Sequence, residues 1–254
     1  MSFPKVSIQI PTYNQVQYIE QAVKSCLLQD YPNFEINIVD DCSTDNTYEI
    51  IKPYLSYSRV KYFKNEKNIG RVANYRRALY EYAMGEWVIN LDGDDYFTNS
   101  DYIKNAVESI FTEGFNNVLF YQGAHIFKTS GIEHLCEARI RTDQVVLRAK
   151  NYIKNFFALN HFSHMSTLYN RRAAISSGFY DKDILSADLY SFLKLAVNEP
   201  EKKIILSKSV SGVWLQHDQN TTKSSKLSNY IKNFNLYRNI FLQQLKTKGF
   251  SKIT

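Results

Sequence analysis

Three cysteines, five prolines and nine glycines are spread over 254 residues, and no apolar run approaches the ~20 residues that cross a bilayer. Cys26, Cys42 and Cys136 are scattered and odd in number, which argues against a disulfide framework and for a reduced, cytoplasmic protein. The first strand is expected within a few residues of Met1, leaving no space for a signal peptide. No internal repeat or low-complexity linker divides the chain, and its length suffices for one large α/β domain. Acid is missing from one place in particular. Residues 221–254 hold seven Lys or Arg and no Asp or Glu, so with a net charge of +6 for the whole chain the preceding residues are close to neutral. That near-neutrality, with no readout motif, speaks against a nucleic-acid-binding protein.

What is present is acid in one short loop. The apolar run that begins at Trp87 stops on Asp92, Asp94 and Asp95 around Gly93. Two carboxylates about 4 Å apart repel by on the order of 4 kcal/mol at an effective dielectric of about 20, so such a cluster calls for a proton or a cation. Hard oxygen ligands suit Mg²⁺ or Mn²⁺, and Gly93 lets backbone or phosphate come close. Taken alone, the loop is equally an acidic solvated turn.

Two more extended stretches end in polar punctuation. Lys5–Ile10 runs into Pro11, Thr12, Tyr13 and Asn14, where proline, lacking a ladder donor, is expected to close the strand. Phe34–Val39 runs into Asp40, Asp41 and the residues up to Thr47, with Asp45 as the expected helix N-cap. Apolar residues at helical spacing follow each: Ile19, Val23 and Cys26, then Tyr48, Ile51 and Leu55. A third strand, Val60–Lys64, precedes a helix with Val72, Tyr75 and Leu79 on one side, which Gly85 is expected to end. Alternating strands and helices predict a doubly wound, mainly parallel sheet, whose ligands bind beyond the carboxyl ends of its strands.

The segments Val6–Asn14, Val39–Thr47, Asn68-Ile69-Gly70 and Leu91–Asp95, in this order and at these spacings, resemble the nucleotide-sugar glycosyltransferases of family 2, which have the GT-A fold. The resemblance is closest over residues 5–100, continues to about 220 and lapses in the tail. It implies an α/β, Rossmann-like GT-A domain. Residues 1–100 would form the nucleotide-sugar half and 101–222 the acceptor half of that domain, followed by a C-terminal helical extension over 223–254. The implied reaction is inverting transfer from a UDP-sugar, less favourably a dTDP-sugar, to a hydroxyl of a saccharide or lipid-linked glycan in cell-surface polysaccharide or glycoconjugate synthesis. Asp41 would accept the uracil N3–H and Tyr13 would lie against the base. Pro11, Thr12, Asn14, Asn68, Arg71 and Gly93 would border the nucleotide sugar. Asp92 would reach the ribose or the metal shell, Asp94 would ligate Mg²⁺ or Mn²⁺, and Asp95 would join them or cap the following turn.

In the second half, Gly178–Asp188 resembles the stretch in which the family carries its catalytic base as the second acid of a Glu-Asp pair. Here the pair reads Ala187-Asp188, which leaves Asp188 as the implied base and Asp181 and Asp183 as rivals. His217 lies in a segment resembling the family's late histidine, implying a metal or diphosphate contact. His161 and His164 fall where the family places acceptor-contacting residues, with core packing as the alternative. Nothing accompanies them that would complete a zinc site.

In the tail, Leu227, Tyr230, Ile231, Phe234, Tyr237, Phe241 and Leu245 recur at helical spacing among the basic residues. Such a helix either lies on the anionic inner face of a membrane, near a lipid-linked acceptor, or covers the catalytic domain. A different class of function stays open for the acidic strand ends: a non-catalytic or signalling α/β module with an acidic metal pocket, like phosphoacceptor receiver domains. Those are much shorter, and their acidic pair follows the first strand.

Overall fold

The computed structural model describes residues 3–159, 162–218 and 220, together with 238, 239 and 242. The basic helix expected over 223–254 therefore lies outside the described residues, apart from those three tail positions. Strands β1 (Val6–Thr12), β2 (Phe34–Asp40), β3 (Val60–Lys64) and β4 (Trp87–Asn90) alternate with helices α1 (Ile19–Leu27), α2 (Thr47–Ile51) and α3 (Arg71–Arg77). Then come β5 (Tyr96–Phe97), α4 (Tyr102–Glu113), β6 (Val118–Lys128), β7 (Glu133–Cys136), β8 (Gln144–Arg148) and α5 (Ala149–Leu159). The last are β9 (Thr167–Asn170), α6 (Arg171–Ser176), α7 (Ala187–Asn198) and β10 (Lys203–Leu215). The ten strands of the described residues join one sheet in the order β3-β2-β1-β4-β9-β6-β10-β5, with β7 beside β6 and β8 beside β10.

The sheet is the mixed α/β sheet expected, flanked by helices. β3, β2, β1 and β4 are parallel, β6 and β10 are parallel, and β9 joins the two groups antiparallel to β4 and β6. Strand order reverses between β1 and β4, and that switch point opens the crevice in which such sheets bind ligands. Side-chain alternation sorts the core into two layers. Val6, Ile8 and Ile10 of β1 with Ile36 and Ile38 of β2 pack under α1 and α4, whereas Val88 of β4 packs with α3 and α7 on the opposite face. On that second face β1 and β2 bury polar residues, Ser7, Gln9, Glu35 and Asn37, which gives β1 and β2 their alternating pattern although both faces are covered.

Three local expectations change. β1 continues through Pro11 to Thr12, pairing with Val39 and Asp40 of β2. The carbonyls of Lys5 and Gln9 point toward β4, so by alternation the missing Pro11 N–H points the same way, past the end of a β1–β4 ladder that stops at Gln9 and Asn90. Proline costs no hydrogen bond there. The helix after β3 ends in a π turn, Ala78–Tyr82, capped by the extended Ala83, so Gly85 is not its cap. Gly85 is required by proximity: a Cβ there would lie 2.6 Å from the Ser7 backbone nitrogen. Helix α2 begins at Thr47, and Asp45 caps it from one position further out, accepting from the Thr47 amide (3.0 Å) while its second oxygen takes the Val16 amide (3.1 Å).

At the sheet end remote from the crevice, Glu35 is buried and accepts from Ser7 Oγ and the Met84 amide, both at 2.8 Å, beside Lys5 (2.7 Å) and Lys61 (3.2 Å). Burial alone would raise its pKa, but Lys5, the Met84 amide, Ser7 and Lys61 outweigh it and hold the carboxyl down to about 2. A depressed carboxylate contributes stability above its ordinary pKa, lost as pH falls from about 4.5 toward 2. Glu35→Gln should therefore cost roughly 1–3 kcal/mol at pH 7 in denaturant unfolding, a deficit that shrinks across that acid window. Equal stability of the two proteins at neutral pH would show that the buried carboxylate is not the pin inferred here.

Candidate active site

The loops after β1 and β2 are stitched together before any ligand is considered. Asn14, at φ 53°, donates its amide to Ser43 Oγ (2.9 Å) and accepts from the Thr44 amide (2.8 Å). Of the two acids ending β2, Asp40 is wholly buried and holds its own turn, accepting from the Ser43 amide (2.8 Å) and hydroxyl and from Tyr62. Asp41 instead faces the crevice. Its Oδ1 accepts from Asn65 Nδ2 and the Ile69 amide, both at 2.8 Å, and its Oδ2 from the Gly70 amide at 2.9 Å. A carboxylate offers about four lone-pair sites, so roughly one remains for a ligand donor. Asn68 braces the same loop by accepting from the Gly70 amide at 3.0 Å.

The acidic loop leaves β4 next to Thr12. Gly93 packs so closely that a Cβ would come within 2.1 Å of Gln15 Oε1 and 3.0 Å of Thr12 Oγ1 and Ile19 Cδ1. What its missing side chain admits is the neighbouring loop after β1. Asp94 Oδ2 meets His217 Nε2 at 2.9 Å and Asn220 Nδ2 at 3.1 Å, and the His217 ring stacks on Tyr18 at 4.4 Å. Asp95 is buried and accepts from the Leu215 amide at 2.9 Å, so it anchors the end of β10 rather than capping its own turn. Asp92 accepts from the Tyr75 hydroxyl, and its Oδ2 lies 3.3 Å from His164 Nε2.

Electrostatically the acids divide. Burial together with the charge of Asp92 pushes the Asp94 carboxyl up, and burial with Asp94 and Asp92 pushes Asp95 well above the carboxylate range. Burial would also raise Asp92, but His164, Tyr75 and Arg71 outweigh it and hold it below its ordinary value. The ligand atoms of Asp92, Asp95 and His164 lie within 4.8 Å of one another. The carboxylates of Asp92, Asp94 and Asp95 are hard oxygen donors, and burial with mutual repulsion pushes two of them, Asp94 and Asp95, toward protonation, a set that fits a small divalent cation.

His164 also reaches the start of α7, with Nδ1 at 3.2 Å from Asp188 Oδ2. Burial would lower both groups' tendency to charge, but Asp92 and Asp188 outweigh it and hold the imidazole well above its usual pKa, while His164 and Arg71 hold Asp188 below its own. Arg71 lines one cavity with these groups and also braces the approach to α7. Its guanidinium donates to the carbonyls of Ile184 (3.2 Å) and Leu185 (2.7 Å), tying the approach to α7 to the start of α3.

A cavity of about 710 Å³ unites these parts. Pro11, Thr12, Tyr13, Asn14, Asp41, Asn68 and Arg71 line it with Asp92, Asp94, His164, Asp188 and His217. Tyr13 is half exposed at its wall, and Gly93 sits behind the acidic loop. His161 lies outside the described residues. Of the rival bases, Asp181 is paired with Lys194 at 2.7 Å, and neither it nor Asp183 lines the cavity.

The sequence profile of glycosyl transferase family 2 matches residues 7–177. The chain belongs to this family. It is 38% identical over 108 residues to the poly(ribitol-phosphate) beta-N-acetylglucosaminyltransferase TarS of Staphylococcus aureus, a match covering 42% of this chain and 19% of TarS. It thus spans only about a fifth of that relative's length. An uncharacterized glycosyltransferase of Haemophilus influenzae is 28% identical over 241 residues, 93% of this chain and 89% of the relative. The structure of TarS 1–349 in complex with UDP-GlcNAc is similar at a TM-score of 0.76 and 23% identity, over 95% of this chain and 67% of that one. Mannosyltransferase PcManGT from Pyrobaculum calidifontis, in complex with GDP-Man and Mn²⁺, gives 0.66 and 18%, over 98% and 66%. These likenesses establish the GT-A fold.

Several residues of this family 2 site carry no signal in the sequence. Tyr75 reads as one member of an apolar helical stripe, yet its hydroxyl serves Asp92. Asn65, just after β3, clamps Asp41, and Phe156, Phe157, Phe162 and Trp214 line the cavity from elements distant in the chain. Asn220, three residues after His217, was within reach as a second polar residue of the same segment.

Proposed function

We propose that the chain is an inverting glycosyltransferase that moves a sugar from a UDP-sugar, less favourably a dTDP-sugar, to a hydroxyl of a saccharide or lipid-linked glycan. The observation that carries this reading is the convergence of Asp41, the Asp92–Asp94 loop and Asp188 on one cavity. Asp41 keeps a lone pair for the uracil N3–H, a donor that cytosine lacks, and the UDP-GlcNAc bound by TarS supports that donor class. Residues 1–100 would serve the donor and 101–222 the acceptor. Asp92 and Asp94 with His217 would hold Mg²⁺ or Mn²⁺, as suits the carboxylate-rich donor set, and Mn²⁺ accompanies the donor in PcManGT. When bound, the cation neutralises charge developing on the departing diphosphate.

In the transfer itself, Asp188 takes the proton of the acceptor hydroxyl as its oxygen bonds to the anomeric carbon from the face opposite the phosphate, and the anomeric C–O bond to UDP breaks. Ionised at neutral pH, Asp188 is in the state a base requires. Phe156, Phe157 and Phe162 offer apolar faces for a pyranose ring in the same cavity. Relatives named for teichuronic and colanic acid biosynthesis support a role in cell-surface polysaccharide or glycoconjugate synthesis. A cytoplasmic enzyme held at the inner membrane face by residues 223–254 would meet a lipid-linked acceptor there.

A panel of nucleotide sugars assayed for UDP release with and without Mn²⁺ tests the reaction. Asp188→Asn should lower turnover by roughly two to four orders of magnitude while leaving UDP affinity unchanged; parallel losses of both would make Asp188 a structural acid. For the tail, full-length protein should sediment with anionic vesicles at low salt and be released as screening shortens to about 10 Å at 0.1 M. Indifference to vesicles at low salt would remove the membrane from the account.

A further inference from the structure

We infer that His164 is a positioning residue that ties the base to the donor site, one imidazole holding the carboxylates of Asp188 and Asp92 in a fixed relation. The inference rests on the reading of Asp188 as base and moves His164 from the acceptor wall into the support of that base. Its ring has both nitrogens committed, Nδ1 to Asp188 Oδ2 at 3.2 Å and Nε2 to Asp92 Oδ2 at 3.3 Å, with a side chain only 13% exposed. The ring itself is held in place. Tyr75, whose hydroxyl serves the other oxygen of Asp92, lies 5.7 Å away ring to ring. The backbone beside it is pinned at the start of β9, where Thr167 Oγ1 donates to the Ser163 carbonyl at 2.6 Å and Met165 is buried.

The physical need is rotational. The last torsion of an aspartate is broad, so a carboxylate on a helix start points where its partners hold it. Arg71 fixes the backbone before Asp188 through the Ile184 and Leu185 carbonyls, and His164 fixes the carboxyl plane by occupying Oδ2. That contact, together with the Leu189 amide, then sets how the carboxylate is presented to the acceptor. Because the same ring touches Asp92, the base is aimed relative to the carboxylate nearest the donor, so the attacking oxygen and the anomeric carbon share one reference frame. Misplacing a reacting group by about 1 Å can cost on the order of 100-fold in rate.

The test uses the geometry of amides as stand-ins for imidazole. An asparagine places its amide nitrogen near the position of Nδ1, toward Asp188, and a glutamine near that of Nε2, toward Asp92. His164→Ala should lower kcat for UDP release from UDP-GlcNAc, or whichever sugar of the panel turns over, by roughly 10- to 100-fold with water as acceptor. UDP affinity should stay within about threefold. His164→Asn should restore a substantial part of the rate and His164→Gln should not, a contrast that survives if the alanine variant folds poorly. In an Asp188→Asn background, His164→Ala should cost little more. Equal losses in the asparagine and glutamine variants, additive losses in the double variant, or a fall in UDP affinity matching the fall in rate would overturn the inference. Full turnover of Asp188→Asn would overturn the base reading and the inference together; a large loss there with none in His164→Ala would overturn the inference alone.

Discussion

Three carboxylates crowded within four residues, at the point where strand order reverses, set the terms for the rest of the molecule. Neighbours of like charge at such distances repel by several kcal/mol in a protein environment, and each must be compensated to stay folded in place. The compensation comes from far along the chain: Tyr75 and His164 on Asp92, His217 and Asn220 on Asp94, the Leu215 amide on Asp95. Strand β10 runs for 13 residues between its neighbours in the sheet, and its end delivers Leu215 and then His217 to the cluster. Gly93 lets the cluster settle onto the loop after β1. Burial and the neighbouring acids push the Asp94 and Asp95 carboxyls upward, and under the proposed function a cation would offset that charge.

The same cluster links the first hundred residues to the later part of the chain. From Asp41 the hydrogen-bonded loop 65–70 leads to the start of α3, where Arg71 grips the carbonyls before α7 and thereby the backbone of Asp188. From Asp92 the shorter route runs through His164 to the Asp188 carboxylate. Under the proposed function, nucleotide recognition and acceptor activation would thus be mechanically adjacent.

Much of this was legible because strand ends announce themselves in sequence. An apolar run stopping on Asp-Asp or on Asp-Gly-Asp-Asp states both where a parallel strand ends and which polar groups it presents, so local pattern and family resemblance pointed to Asp41, Asp92 and Asp94, which the structure brings to one cavity. Division of labour within a pattern was less visible. Asp40 and Asp41 are neighbours of one type, yet alternation buries the first in its own turn and turns the second to the crevice. Pro11 was expected to end a strand it continues, because its harmlessness depends on where β4 stops. The pairing of His164 with Asp92 and Asp188 joins residues 72 and 24 positions apart. No periodicity encodes such a contact; it exists only once β4, β9 and α7 have been packed together.

The central claim, that this acidic cluster is built to be completed by a cation together with a uridine diphosphate, is tested most directly by calorimetric titration of UDP into the full chain with Mn²⁺ and with a chelator. The account predicts binding at least about tenfold tighter with the ion, a difference of about 1.4 kcal/mol. It also predicts that Asp94→Asn removes most of that gain. UDP affinity that is the same with Mn²⁺ and with chelator would contradict the account.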